Sequence, residues 1–220
     1  MTTTRRNFDI QLRHLEQDLL RMGSHVEEMT DHAVTALLTR DAALARSVIE
    51  ADDVADALDL SLETECMQLL ALQQPMGKDL RTIGTVLKAI TDLERIGDYA
   101  VDIAYVALLL TDHPGPLPRV DLEGMTAAAK AMIRHTLRAF VDRDLVAVHR
   151  ICKEEDDEVD QAYYRLFDQL VELMRRDPGQ VVPATQFILV ARFLERIADH
   201  VTNVAERIQY METGILEELG

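Results

Sequence analysis

The stretch LERIGDYAVDIA at residues 93–104 returns as LERIADHVTNVA at residues 194–205. The copies lie 101 residues apart (195 − 94), a spacing that suits a duplicated bundle of helices and exceeds the roughly 20–45 residues of a solenoid unit. Whatever the stretch does is therefore expected to be built twice. Helical residues turn by about 100° each, so Glu94, Asp98 and Asp102, at i, i+4 and i+8, climb one drifting stripe. The apolar set Ile90, Leu93, Ile96, Val101 and Ala104 faces neighbouring helices, which predicts Glu94 at the border of the core with Asp98 and Asp102 rotating away from it. The acids are expected to line the core without being buried in it. Like charges at this spacing cost about 0.2–0.5 kcal/mol per pair on an isolated helix, so the stack calls for solvent, arginine partners or a cation.

The remainder of the chain is helix-forming throughout. Its 220 residues are 48% hydrophobic, with 9 Gly, 6 Pro and no Trp, and the abundant Leu, Ala and Glu favour helix. We predict an all-α fold. The heptad-like apolar spacing places helix one at about Phe8 to Leu38, and helix two runs from a cap at Asp41 to near Gln74. Helix three follows the turn at Pro75 and Gly77 and extends from about Asp79 to Leu110. The segment DHPGPLPRVD at 112–121 holds three prolines and a glycine and breaks the pattern. Beyond it Asp121 caps helix four, which runs to about Val141. Helix five spans Leu145 to Arg176 behind the turn Asp142–Asp144, and RRDPGQVVP introduces helix six. The expected organisation is two tandem, similar three-helix bundles, residues 1–112 and 121–220, joined by a proline-rich linker at 113–120. Short hairpin connections make each bundle up-down-up.

A second acidic set sits on the middle helix of each half. Asp52, Asp53 and Asp56 in EADDVAD are echoed 104 residues later (156 − 52) by Asp156, Asp157 and Asp160 in EEDDEVD. This offset exceeds that of the LERI copies by three residues (104 − 101), a difference expected in the turns. Each half thus pairs a D-x-x-x-D helix with an antiparallel E-x-x-x-D helix: Asp52 and Asp56 with Glu94 and Asp98, then Asp156 and Asp160 with Glu195 and Asp199. Four carboxylates meeting across two helices form an oxygen-only donor set that suits Mg²⁺, Ca²⁺ or Mn²⁺ and, when bridging, iron or zinc. Asp53, Asp102 and Asp157 are additional candidate ligands. The plain alternative is a solvated ion-paired face, with Arg95 reaching Asp98 or Asp92 and Arg196 reaching Asp199. Duplication of the pattern in register favours the metal reading. A ferritin-like di-iron site needs E-x-x-H pairs, and none of the 7 histidines has Glu three residues before it.

Several function classes drop out. A formal net charge of −16 opposes a generic grip on nucleic acid or on an anionic bilayer, and no apolar run reaches the ~18 residues that span a membrane. The N-terminus lacks a signal-peptide pattern and Cys66 and Cys152 form no C-x-x-C pair, which points to a cytoplasmic, reduced protein. There is no phosphate loop, catalytic triad or activated cysteine, so a non-enzyme is expected. His200 and the histidines of helix one are read as surface residues without a role. Met22, Met29 and Met132 read as core filler, and the outer apolar faces of helices one and four are expected to pair with a second copy, giving a homodimer, or with a partner.

In order along the chain, DD-x-x-D, QP-x-x-x-DLR (residues 74–81), ERIGD, DD-x-x-D and ERIAD together resemble the PhoU family of phosphate-transport regulators, over nearly the full length. The resemblance implies paired three-helix bundles and multinuclear metal clusters, iron or zinc, held by the E/D-x-x-x-D pairs. It also implies negative regulation of high-affinity phosphate uptake through the ATPase subunit of the phosphate ABC transporter and a membrane sensor kinase. The first copy has Tyr99 and Asp102 where the family commonly has His and Asn, whereas the second keeps His200 and Asn203, and Ala198 stands where the first copy has Gly97. Only by that resemblance is Asn203 a further candidate ligand. Unequal occupancy of the two sites is expected. The competing reading is a structural helical scaffold, or an accessory protein of another transporter, with no metal role.

Overall fold

A computed structural model describes residues 3–219. The described residues form seven α-helices: α1 Thr3–Thr39, α2 Ala42–Gln73, α3 Lys78–Thr111, α4 Leu122–Asp142, α5 Leu145–Arg150, α6 Asp156–Arg176 and α7 Val181–Thr213. A π-turn at Ile151–Glu155 joins α5 to α6 with helical backbone at both junctions, so the two form one continuous helix. The fold is all-α, as the periodicity predicts.

Caps set the hairpins. The Asp41 carboxylate accepts from the backbone N–H of Ala43 and Leu44 at 2.9 and 3.0 Å, and Asp144 accepts from Val146 and Ala147 at 3.0 and 3.1 Å. Each such cap is worth about 1 kcal/mol. Immediately before each stands an arginine in the left-handed region, Arg40 at φ 55° and Arg143 at φ 57°. The positive φ costs each residue conformational energy, and each side chain makes long-range bonds in return. Arg40 donates to the carbonyls of His113 and Gly115 and so holds the segment between α3 and α4. Arg143 donates to Glu16 of α1 and lies 3.7 Å from Glu212 of α7, with its guanidinium over the Phe140 ring.

Helices α1, α2 and α3 pack mutually, as do α4, α5–α6 and α7, and the halves join along α3–α7 and α1–α4. One apolar core runs through both halves. This corrects the expectation for helices one and four. Met22, Met29 and Met132 are buried, and the α1–α4 seam is closed inside the chain by Lys130–Asp31 at 2.5 Å and Arg134–Glu27 at 2.6 Å. The apolar residues buried in this seam are in use inside the chain and are not available to an outer face, while Ile10 of α1 and Val141 of α4 stay exposed.

The three-residue offset is also not in the turns. The connections 74–77 and 177–180 are both four residues long. From Asp52 to the end of α2 is 21 residues (73 − 52), against 20 from Asp156 to the end of α6 (176 − 156), and Glu94 lies 16 residues into α3 where Glu195 lies 14 into α7. The difference is helix length. Upstream, the caps are 103 residues apart (144 − 41) and the acids 104 (156 − 52), so the second half holds one extra residue between cap and motif. A π-turn absorbs one added residue, and here it restores the register that faces Asp156 toward α7.

Candidate metal centre

Each acidic cluster lies where a middle helix crosses the last helix of its half. In the first, α2 brings Asp52 to α3 at Gly97, where a β-carbon would stand 3.5 Å from Asp52 Oδ1 and 3.8 Å from Ala55 Cβ. The close crossing sets Asp52 in the field of Asp56 and Asp98, and burial followed by these two charges raises its carboxyl above the usual aspartate range. Glu94 is raised by burial and then by Asp98, with Arg95 opposing. Asp102 is raised by burial and by Asp98.

In the second cluster the mutual effect on Asp156 is larger. Burial, with Asp160, Asp199, Asp157 and Glu195 in that order, pushes Asp156 up to about 6. Asp160 is raised by burial and then Asp199, and Glu195 by burial and then Asp199. All four paired acids of this half, Asp156, Asp160, Glu195 and Asp199, therefore act on one another. Glu195 is buried, contrary to the expectation that the acids only line the core. Its Oε2 has no hydrogen-bond partner, although Arg192 binds the other oxygen of the carboxylate and Arg196 Nε lies 3.9 Å from Oε2. An orphaned buried carboxylate oxygen carries a desolvation cost that a cation at this point would remove.

Arginines occupy part of both sites. Arg95 binds Asp98 at 2.8 Å and lies 3.6 Å from Glu94. Arg196 binds Asp199 at 3.1 Å, and Arg192 binds Glu195. Among the described residues no three Asp, Glu, His or Cys side chains are already converged for a metal ion. The donor types and the mutual charge fit a cation, whereas the present rotamers of four acids are turned to guanidinium groups.

The additional candidates divide. Asp53 and Asp157 contribute to the fields at Asp52 and Asp156, and Asp102 extends the first cluster. Asn203 instead donates to Asp92 of α3 at 3.1 Å. His200 Nδ1 joins the same Asp92 oxygen at 2.8 Å, and its ring packs on Tyr99 at 5.8 Å between centroids. These residues stitch the two halves together, so His200 has a structural role that reading it as a surface histidine missed. Two further residues went unread. Asp59 lies in the field of Glu94, with its own carboxyl raised by burial, Glu63 and Asp56. Its position seven residues after Asp52 was the available signal, since i and i+7 share a helix face. His25 Nε2 lies 2.8 Å from the carbonyl of Ala51 and so ties α1 to α2 beside Asp52. The second-half position matching Asp59 is Tyr163, with Arg192 over its ring at 5.8 Å. The first site is thus richer in carboxylates and the second is partly neutralised.

The PhoU domain profile matches residues 19–107 and again 122–208. The chain belongs to the PhoU family. The matched segments contain the two acidic clusters and leave 113–120 outside. A phosphate-specific transport system accessory protein PhoU homolog of Clostridium acetobutylicum is 39% identical over 212 residues, 96% of each chain. The homolog of Synechocystis is 39% identical over 208 residues, 94% of this chain and 92% of its own. The crystal structure of PhoU from Pseudomonas aeruginosa superposes with TM-score 0.88 at 34% identity, covering 94% of this chain and all of that one. The phosphate transport system regulatory protein PhoU from Streptococcus pneumoniae gives 0.88 at 32% identity over 96% of this chain and 99% of its own.

Proposed function

We propose that the chain is a metal-binding regulatory adaptor that represses high-affinity phosphate uptake and phosphate-starvation signalling. It does so by docking on the ATPase subunit of the phosphate ABC transporter and on a membrane sensor kinase. The observation that carries this reading is the doubled acidic crossing of α2 with α3 and of α6 with α7, in a chain that matches phosphate-transport accessory proteins end to end. Asp52, Asp56, Glu94 and Asp98 would hold metal in the first half, and Asp156, Asp160, Glu195 and Asp199 in the second, with iron or zinc favoured over manganese or magnesium. A bound cation would supply charge neutralisation and cross-linking of two helices. The chain's own part is to hold the carboxylates desolvated and mutually repelling, which favours a cation over an empty site. No helix among the described residues is long and apolar enough to cross a membrane, so regulation of a transporter proceeds by contact between proteins. A cytoplasmic location, a non-enzymatic role and a homodimeric assembly complete the reading. The net charge of −16 directs docking to basic faces and makes association rates sensitive to salt.

A specific observation also favours the scaffold reading: Arg95, Arg192 and Arg196 already pair with Asp98, Glu195 and Asp199. The genetic test separates the two. Deleting the gene should leave phosphate-starvation genes expressed in rich phosphate, and restoring it should repress them. Normal repression in the deletion strain, with no second gene copy, contradicts the regulatory assignment.

A further inference from the structure

The duplication provides an internal control for surfaces as well as for sites. At the 104-residue offset of the acid motifs (156 − 52), Ser61, Thr64, Gln68, Ala71 and Leu72 on the outer side of α2 match Arg165, Asp168, Glu172, Arg175 and Arg176 on α6. The α6 side pairs Glu172 with Arg175 at 3.5 Å and with Arg176 at 2.7 Å, and it also exposes Tyr164 and Phe167, the matches of Leu60 and Glu63, at 64% and 39%. The α2 side from Ala57 to Leu72 has no charge along its centre. Leu60, Met67 and Leu72 are 65%, 55% and 76% exposed, and the last two, with Glu63, Thr64, Gln68 and Ala71, line a shallow groove of about 520 Å³. Among the described residues helix α2 meets only α1 and α3, through the opposite face that buries Ala55, Leu62, Cys66 and Leu69. A contiguous exposed apolar stripe of this kind marks an interaction surface.

Charge selects the occupant. Asp52, Asp56, Asp59 and Glu63, at steps of four, three and four, run along one edge of the apolar stripe. Residues 47–77 hold seven acids (Glu50, Asp52, Asp53, Asp56, Asp59, Glu63 and Glu65) and no Lys or Arg. We infer that the outer face of α2 is a docking surface for a basic amphipathic helix of a partner protein, which lays its apolar side on Leu60, Thr64, Met67 and Ala71 and its Lys/Arg row against Asp59 and Glu63. A second copy of this chain fits less well, because its own α2 brings no cation to that edge. This inference rests on the adaptor reading above and gives that adaptor a surface.

The test grafts the charged face of α6 onto α2: Ser61→Arg, Thr64→Asp, Gln68→Glu and Ala71→Arg, all at exposed positions. The probe is a synthetic helical peptide of roughly 18 residues, about five turns, with a Leu/Ala face flanked by Lys and Arg. A control peptide keeps the apolar face and carries Glu in place of the cations. The wild-type chain should bind the basic peptide at physiological salt and not the acidic one. The grafted chain, with unchanged helical circular dichroism and melting, should bind it about 10-fold more weakly or worse. Absence of basic-peptide binding to wild type, equal binding by the graft, or self-association in sedimentation that the graft abolishes would each overturn the inference. A cellular arm separates it from the parent reading. If the wild-type gene restores repression in the deletion strain and the graft restores it equally, the docking surface is refuted and the adaptor stands. If the wild-type gene restores nothing, the adaptor reading fails and the peptide arm alone decides the surface.

Discussion

Replacing Asp156 by Asn in metal-stripped protein should stabilise the fold at neutral pH and have no effect at pH 4. The Asp156 carboxyl is pushed from 3.8 to about 6 by burial and by Asp160, Asp199, Asp157 and Glu195. A raised folded-state value means that the folded chain binds more protons than the unfolded chain between about pH 4 and 6. Stability therefore falls as pH rises through that window: below it Asp156 is protonated in both states, and above it the cost of ionising it in the fold is fully present. A shift of this size corresponds to about 3 kcal/mol, which solvent screening of a half-exposed carboxylate reduces to about 1–2 kcal/mol. For a chain of this length each kcal/mol moves Tm by about 2–4 °C, so Asp156→Asn should gain about 2–8 °C at pH 7. The assay is thermal denaturation by circular dichroism in chelator across pH 4 to 7. An equal gain at both pH values, or none at pH 7, would refute the electrostatic account of the second cluster.

The thiols of Cys66 and Cys152 are pushed up to about 12, chiefly by burial, so alkylation at pH 8 should proceed only at the rate of global or local opening and should be fast in denaturant; prompt reaction of either in the native state would contradict the packing. At Gly97 a β-carbon meets only ordinary van der Waals neighbours, the nearest 3.5 Å away, so Gly97→Ala should be tolerated and gain up to about 1 kcal/mol in a urea titration through helix propensity, whereas a loss of that size would show that the α2–α3 crossing requires glycine. Deleting Glu154, an exposed residue of the π-turn, should leave a cooperative, fully helical protein by circular dichroism, because the first half reaches the same acid register without the extra residue; an unfolded product would contradict the insertion account.

Local chemistry that the chain repeats was legible in the sequence. Asp41 and Asp121 cap their helices as read, and the Pro/Gly segments end them, because caps and breakers act within a turn or two of themselves; Asp144, read only as a turn residue, is a further cap. The placement of Glu94 and Asp98 on α3 followed from a 3.6-residue period. What stayed hidden depends on contacts distant in sequence. Nothing near Met22 or Met132 reveals that α1 and α4 face one another, and nothing near His200 reveals Asp92 of the other half at 2.8 Å. The π-turn was implicit in two offsets, 103 for the caps and 104 for the acids, but an extra residue inside a helix leaves no compositional mark. The burial of Glu195 was missed for the same reason: the periodicity of α7 describes one helix, whereas the crossing helix α6 and the side chain's own rotamer decide how much water remains.

The most direct test of the central claim is metal content by elemental analysis of protein purified without chelator, compared with two variants. Asp52→Asn with Glu94→Gln addresses the first cluster, and Asp156→Asn with Glu195→Gln the second. The account predicts bound iron, zinc or manganese in the wild type, partial loss in each variant with the larger loss from the carboxylate-rich first site, and complete loss when all four substitutions are combined. Wild-type protein without stoichiometric metal, or metal content indifferent to all four substitutions, would contradict it and leave the arginine-paired acids as a solvated helix face.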